Sequence, residues 1–150
     1  NVVVLRTLSK AFGLAGCRCG ALIGRKEICE YIMRVIPPYS FSKPSEQTVL
    51  ESLTEKGIEK SKENIKLILK ERQYLENELK DLTSVEQVFP SQTNFVLVKT
   101  KDAEQFCKRA KKSGFLLRNV DYQPTLNNCV RITVGTSEQN KSLIRGLRDE

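Results

Sequence analysis

The feature that most constrains the fold is a long stretch of helical periodicity in the middle of the chain. Between Glu55 and Asp81 acidic and basic residues alternate, as on a solvated helix face. Apolar residues recur there at helical spacing, at Ile58, Ile65, Ile68, Leu69, Leu75, Leu79 and Leu82. We predict that Ser45 caps a preceding helical segment and that the helix continues to about Asp81. Gly57 weakens the pattern, so we expect a bend or break near it.

The part of the chain after Leu82 has the pattern of short strands and helices. Asp102 is expected to cap a helix that runs to Lys112 and ends at Gly114. Ser137 is expected to cap a final helix that runs to Leu147. Strands are predicted at residues 85–89, 94–99, 115–118 and 129–134, the last with alternating apolar positions. We therefore expect a compact α+β unit in this part.

The first forty residues have a different pattern. The run from Val2 to Leu5 is continuously apolar and β-branched, which is typical of a strand covered on both faces. Residues 18–24 indicate a second buried strand, and residues 26–36 a helix stopped by two prolines. This part is expected to be the edge of a larger parallel sheet whose other strands are absent. The chain also starts inside a strand-like segment without Met, so we expect a fragment.

We predict three parts, 1–40, 41–82 and 83–150, with the long helix linking the outer two. The 150 residues are 39% hydrophobic and 29% charged, which indicates a soluble globular protein. No apolar run approaches the roughly 20 residues that a membrane span needs. The five cysteines are odd in number and match no zinc spacing, and histidine is absent. We expect free thiols in the cytoplasm, no metal site and no Ser-His or Cys-His nucleophile.

The net charge of +7 raises the possibility of a nucleic-acid partner. The alternation of signs in the long helix argues against it. The short basic cluster at residues 108–112 lies at the end of a predicted helix, where cations favour the helix dipole. We therefore expect a solvated surface and no nucleic-acid binding.

Lys10 is the residue whose position most indicates chemistry. It follows the first predicted strand, and glycines come after it in the sequence. Thr7 and Ser9 can offer hydroxyl groups to a phosphate, and Arg18 can add a charge-assisted contact to the same group. A lysine held in this way suits Schiff-base chemistry. The alternative is an exposed lysine and arginine on an ordinary loop, and spacing alone leaves both interpretations open.

The segment from Thr7 to Gly20, with the sequence TLSKAFGLAGCRCG, closely resembles the cofactor-lysine segment of fold-type I aminotransferases. It is most similar to the histidinol-phosphate aminotransferase family. The resemblance implies that Lys10 forms the Schiff base with pyridoxal 5′-phosphate and then shuttles a proton. It also implies that Ser9 and Arg18 bind the cofactor phosphate, with Thr7 beside them. The implied fold is α/β, the C-terminal edge of the large domain followed by the α+β small domain.

Two later segments resemble the family's arginine segments, residues 116–118 and 130–136. Residues 36–42 and 91–98 also match, so the resemblance runs along the whole chain. On residue type alone, Arg131 could be an outward-facing charge on a half-buried strand, or a fork for a carboxylate. The resemblance implies that Arg131 binds the substrate carboxylate and that Arg118 helps to hold the substrate phosphate.

The resemblance implies an activity as well. It is the pyridoxal-phosphate-dependent transfer of an amino group between histidinol phosphate and 2-oxoglutarate, in histidine biosynthesis, by an enzyme that is a homodimer when intact. The family's other cofactor contacts, including an aspartate for the pyridine nitrogen, would precede residue 1. We therefore expect the chain alone to be inactive. The alternatives are another fold-type I enzyme, either a different aminotransferase or a phospho-amino-acid decarboxylase, and a non-catalytic remnant that binds a partner.

Overall fold

The computed structural model describes residues 2–148. Their contacts form two compact units that meet in the sequence between Ile65 and Lys66, inside the long helix. The three-part division expected from the sequence stays a prediction. Within residues 2–148, no helix combines the length and the apolar composition needed to cross a bilayer.

The first unit begins with a two-stranded ribbon. Strand β1 (Val4–Thr7) pairs antiparallel with β2 (Gly20–Ile23), with Thr7 opposite Gly20. All four residues of β1 are exposed, and Leu5 keeps 75% of its surface accessible. The prediction of a strand covered on both faces is therefore wrong for the described chain. The strand predicted at residues 18–24 is also not buried, since β2 is largely exposed, and the pairing is antiparallel instead of parallel. A run of apolar residues favours burial, but the run is buried only where other elements of the structure cover it.

Two helices of the first unit follow the ribbon. Helix α1 (Lys26–Met33) ends three residues earlier than predicted, and helix α2 spans Lys43–Ser52. The cap of α2 is Ser42 and not Ser45, since the Ser42 hydroxyl accepts a hydrogen bond from the Ser45 amide at 3.3 Å. A proline in the first turn of α2 suits a position whose amide would have no helical partner.

The predicted break in the helix is present, just before Gly57. Helix α3 (Glu55–Lys80) begins after Thr54, whose hydroxyl accepts from the Gly57 amide at 3.2 Å. A Cβ atom on Gly57 would lie 2.4 Å from the Ser52 carbonyl oxygen. The glycine is therefore required by the close approach between the end of α2 and the start of α3, and the capping threonine marks where the helix restarts.

The second unit confirms the expected α+β arrangement. Its sheet has the order β3-β4-β6-β5, and every neighbouring pair is antiparallel. Two helices complete it, α4 and α5. The bounds are β3 (Val85–Phe89), β4 (Phe95–Thr100), α4 (Ala103–Lys112), β5 (Arg118–Asn119), β6 (Cys129–Thr133) and α5 (Ser137–Arg148). The strand predicted at 115–118 is instead the two residues of β5 and begins only at Arg118. The cap of α5 is Thr136 and not Ser137, since the Thr136 hydroxyl accepts from the Gln139 amide and Ser137 is already in the helix.

The hydrophobic core lies against one face of this sheet. Strand residues Val96, Val98, Val130 and Ile132 are fully buried, and the helices supply the facing side chains. The helical members of the core are Leu75, Leu79, Ala103, Phe106, Ala110, Leu143, Ile144 and Leu147. Because neighbouring residues of a strand point to opposite faces, Leu97 and Arg131 lie on the other face of the sheet.

A buried polar cluster fixes the chain where β6 ends. Asn140 of α5 is 2% exposed and donates to the Glu71 carboxylate at 3.0 Å and to the Gly135 carbonyl at 3.1 Å. Its side-chain oxygen accepts from the Gly135 amide at 2.9 Å. Glu71 belongs to α3 and is 5% exposed. One side chain thus connects α3, α5 and the turn that follows β6, which holds the strand that carries Arg131.

Candidate functional site

Lys10 lies on a 12-residue loop that joins β1 to β2, residues 8–19. The two ends of the loop are closed by a hydrogen bond from the Leu8 amide to the Cys19 carbonyl at 3.3 Å. Inside the loop, the Leu14 amide donates to the Leu8 carbonyl, and the Gly13 amide donates to the Lys10 carbonyl at 3.1 Å. These bonds hold the backbone at Lys10, while its side chain is exposed. Among the described residues, no carboxylate pairs with it.

The hydroxyl groups of Thr7 and Ser9 lie together beside Lys10. Thr7 Oγ1 donates to Ser9 Oγ at 2.8 Å and accepts from the Ser9 amide at 3.1 Å. Ser9 Oγ is therefore an acceptor within this pair, and its own hydrogen remains available for a further acceptor. The pair presents a fixed hydroxyl donor next to the lysine.

Arg18 closes the other side of the same loop. It adopts the left-handed conformation, with φ of 51°, at the end of a short 3₁₀ turn formed by Ala15–Cys17. One guanidinium nitrogen donates to the Ala15 carbonyl at 3.2 Å. A guanidinium has five N–H donors, and no carboxylate among residues 2–148 pairs with this one. Arg18 thus keeps a positive charge and further donors for an anion.

In the second unit, Arg131 and Arg118 are directly opposite each other on β6 and β5. Opposite residues of an antiparallel pair have their side chains on the same face. Arg131 is half-buried, and its guanidinium carbon lies 5.0 Å from the centre of the Phe95 ring. The aromatic face supports a cation without neutralising its charge.

Neither of these two arginines pairs with a carboxylate in the described part of the chain. Like charges directly opposite on neighbouring strands destabilise a sheet, by roughly 0.2–1 kcal/mol. An anion bound between the two guanidiniums would offset this repulsion. Two guanidiniums can also donate to several oxygen atoms at once. The arrangement therefore suits a carboxylate or a phosphate.

The structure brings the sequence-predicted residues into two groups. Thr7, Ser9, Lys10 and Arg18 share the loop of the first unit, and Arg118 and Arg131 share a strand pair of the second. Sequence reasoning missed Tyr122, which follows β5 and whose hydroxyl accepts from the Gln123 side-chain amide at 3.3 Å. Tyr122 lies near Arg118 because the chain turns back after β5. No spacing pattern in the sequence predicts that turn.

Known proteins resemble this chain along its whole length. The sequence pattern of the family described as aminotransferase class I and II matches residues 1–147. The histidinol-phosphate aminotransferase of Citrobacter koseri is 43% identical over all 150 residues, which are 42% of that protein's length. The chain thus spans less than half the length of the curated relatives that it matches.

Solved structures show the same fold. The histidinol-phosphate aminotransferase of Sinorhizobium meliloti, solved in complex with pyridoxal-5′-phosphate, superposes with a TM-score of 0.80 and 25% identity. The match covers 99% of this chain and 40% of that one. A decarboxylase from Sulfurospirillum multivorans superposes with a TM-score of 0.86 at 24% identity, over 99% of this chain and 43% of its own. The second likeness concerns the fold alone.

Proposed function

Since the chain belongs to the class I and II aminotransferase family, we propose that it supplies the cofactor lysine and the substrate-binding arginines of a histidinol-phosphate aminotransferase. That enzyme transfers an amino group between histidinol phosphate and 2-oxoglutarate, a step of histidine biosynthesis. The observation that carries the proposal is the pair Arg118 and Arg131, opposite each other and without a carboxylate partner among the described residues. The 43% identity over the whole chain to relatives of that name supports it.

The loop around Lys10 fits pyridoxal 5′-phosphate. A phosphate accepts hydrogen bonds and carries negative charge, and Ser9 and Arg18 offer donors and positive charge on this loop. Lys10 would hold the cofactor covalently through its amine, with Thr7 fixing the Ser9 hydroxyl. When bound, pyridoxal phosphate supplies an electron sink that makes the substrate α-proton acidic. The Lys10 amine would take up and return that proton.

The two arginines fit the two substrates. Each substrate has an anionic group close to its reacting carbon, the phosphate ester on the neighbouring CH2 of histidinol phosphate and the carboxylate bonded to the keto carbon of 2-oxoglutarate. Arg131 is held against Phe95 and is proposed to bind the carboxylate as a fork. Arg118, on the neighbouring strand, is proposed to add the contacts that a phosphate needs.

The test joins this chain to the remaining part of the Citrobacter koseri relative and measures the product. We expect glutamate from histidinol phosphate and 2-oxoglutarate, and its loss in the Lys10→Ala variant. Arg131→Gln should raise KM for both substrates. The proposal is wrong if a soluble, cofactor-loaded chimera transfers amino groups from other donors but not from histidinol phosphate. Release of carbon dioxide from a phospho-amino acid would instead assign it to the decarboxylases of this fold.

We also propose that the 150 residues alone do not sustain turnover, since they span 42% of the length of the relatives. The purified chain, mixed with pyridoxal phosphate, histidinol phosphate and 2-oxoglutarate, should form no glutamate above a Lys10→Ala control. Steady formation at an ordinary enzyme rate would refute this. Assembly as a homodimer and a cytoplasmic location belong to the same proposal. All five cysteines are free thiols in the structure, which suits a reducing compartment.

A further inference from the structure

The loop between β5 and β6 is anchored at several points. The Val120 amide donates to the Cys129 carbonyl at 3.0 Å, and the Gln123 amide donates to the Val120 carbonyl at 3.0 Å. The Asp121 carboxylate accepts from the Asn128 amide across the loop. These bonds define a fixed turn at residues 120–123, and Tyr122 lies at its tip with 70% of its surface accessible.

The turn brings the Tyr122 hydroxyl to the Arg118 guanidinium. Hydrogen bonding from Arg118 lowers the pKa of Tyr122, and the Gln123 amide and the positive charges of Arg118 and Arg131 act in the same direction. The phenolic oxygen therefore accepts from nitrogen donors, Gln123 Nε2 among them at 3.3 Å. Its one hydrogen is then directed away from them, and no acceptor takes it among the residues that the structure describes.

The Asp121 carboxylate accepts a hydrogen bond from the Asn128 amide of its own loop, and within residues 2–148 no ion pair joins it to Arg118 or Arg131. Arg118, Arg131 and Tyr122 thus present N–H and O–H donors, and the acceptor among them, the Tyr122 oxygen, is already taken by nitrogen donors. A carboxylate has two oxygens, which one guanidinium fork can fill. A phosphate monoester has three terminal oxygens and more charge, so it has an acceptor left for a further donor.

We propose that Tyr122 is a specificity-determining residue, which donates a hydrogen bond to a phosphate held by Arg118 and Arg131. It favours a phosphate-bearing substrate over a dicarboxylate at the same site. The inference rests on the proposed function, in that it takes the two arginines as the anion site. It adds a residue that neither the sequence pattern nor the relatives' names indicate.

The test measures the binding of methyl phosphate and of acetate to the full 150-residue chain, by NMR titration. We expect Tyr122→Phe to weaken methyl phosphate binding about fivefold and to change acetate binding less than about twofold, as for the loss of one ordinary hydrogen bond at an exposed position. Tyr74→Phe, a tyrosine change on α3, is the matched control and should leave both affinities unchanged. Equal loss of both ligands in Tyr122→Phe would overturn the selectivity claim.

The pH dependence provides a second readout that a purely structural role would not affect. As pH rises through the lowered pKa of Tyr122, the hydroxyl loses its hydrogen and gains a negative charge. Phosphate affinity should therefore fall in the natural chain as the pH rises through this pKa, and this decline should be weaker in Tyr122→Phe. Identical pH profiles for the two proteins would contradict the proposal.

Two further variants separate this inference from the proposed function. If methyl phosphate binds, and Arg118→Gln or Arg131→Gln abolishes binding while Tyr122→Phe has no effect, the arginine site stands and the role of Tyr122 is refuted. If the natural chain does not bind methyl phosphate, or binds it equally well without both arginines, the anion site itself is wrong and the role of Tyr122 falls with it.

Discussion

Replacing Asn140 with alanine should unfold the second unit at much lower denaturant. The side chain makes three buried hydrogen bonds, two with the Gly135 backbone and one with the Glu71 carboxylate. Its removal leaves the Glu71 carboxylate, which is 5% exposed, and the half-buried amide and carbonyl of Gly135 without this partner. Each buried polar group that loses its partner costs about 1–3 kcal/mol.

The expected loss follows from those three groups. At about 2 kcal/mol for the buried Glu71 carboxylate and about 1 kcal/mol for each half-buried Gly135 group they amount to about 4 kcal/mol, and the better helix propensity of alanine offsets about 0.6 kcal/mol. We therefore expect the free energy of unfolding to fall by about 3 kcal/mol. This is a large part of the 5–15 kcal/mol that stabilises an ordinary domain.

Urea unfolding followed by far-ultraviolet circular dichroism is the suitable assay, because the chain has no tryptophan for fluorescence. Asn77→Ala is the matched control, since Asn77 is exposed on α3 and only accepts one hydrogen bond from Gln73. It should change stability by less than about 0.5 kcal/mol. Asn140→Asp should be at least as damaging as Asn140→Ala, because it places a second carboxylate against Glu71. A loss below about 1 kcal/mol for Asn140→Ala would refute the reasoning.

Three smaller predictions follow from local geometry. Gly146→Ala should destabilise the protein by about 1–3 kcal/mol in urea unfolding, because its Cβ would lie 2.5 Å from the Ser113 Cβ; an unchanged midpoint would contradict this packing. Asp102→Ala should cost about 1 kcal/mol in the same assay through the loss of the α4 cap, whereas Asp102→Asn should be nearly neutral. Arg118→Gln should stabilise the ligand-free chain by about 0.5 kcal/mol, since it removes repulsion from Arg131, and a destabilised variant would show that the two charges are not in conflict.

Local signals predicted part of the fold well. Helix α4 begins and ends as expected because its cap, Asp102, and the residue that ends it, Gly114 with φ of 87°, are adjacent in the sequence to the helix itself. The predicted cap of α2 lies three residues after the observed one. Ser42 and Ser45 have the same hydroxyl group, and only the path of the backbone decides which of them caps the helix.

Features that depend on distant residues could not be predicted from residue pattern alone. The exposure of Leu5 depends on which elements cover β1, and the bond from Asn140 to Glu71 joins positions 69 residues apart. The candidate site also has one part that local sequence predicts and one part that it does not. The Lys10 loop is visible in one short segment, whereas the pairing of Arg118 with Arg131 depends on the strand register.

The central claim is that Lys10 is the lysine that binds the cofactor, and labelling tests it most directly. The chain is incubated with a limiting amount of pyridoxal 5′-phosphate, reduced with borohydride and mapped by peptide mass spectrometry. Pyridoxal without its phosphate serves as the control, because it has the same aldehyde but nothing for Ser9 and Arg18 to bind. We predict that Lys10 is labelled ahead of the other lysines, and that the preference disappears with pyridoxal and in Arg18→Gln. Labelling spread over the surface lysines, with no preference for Lys10, would contradict the account.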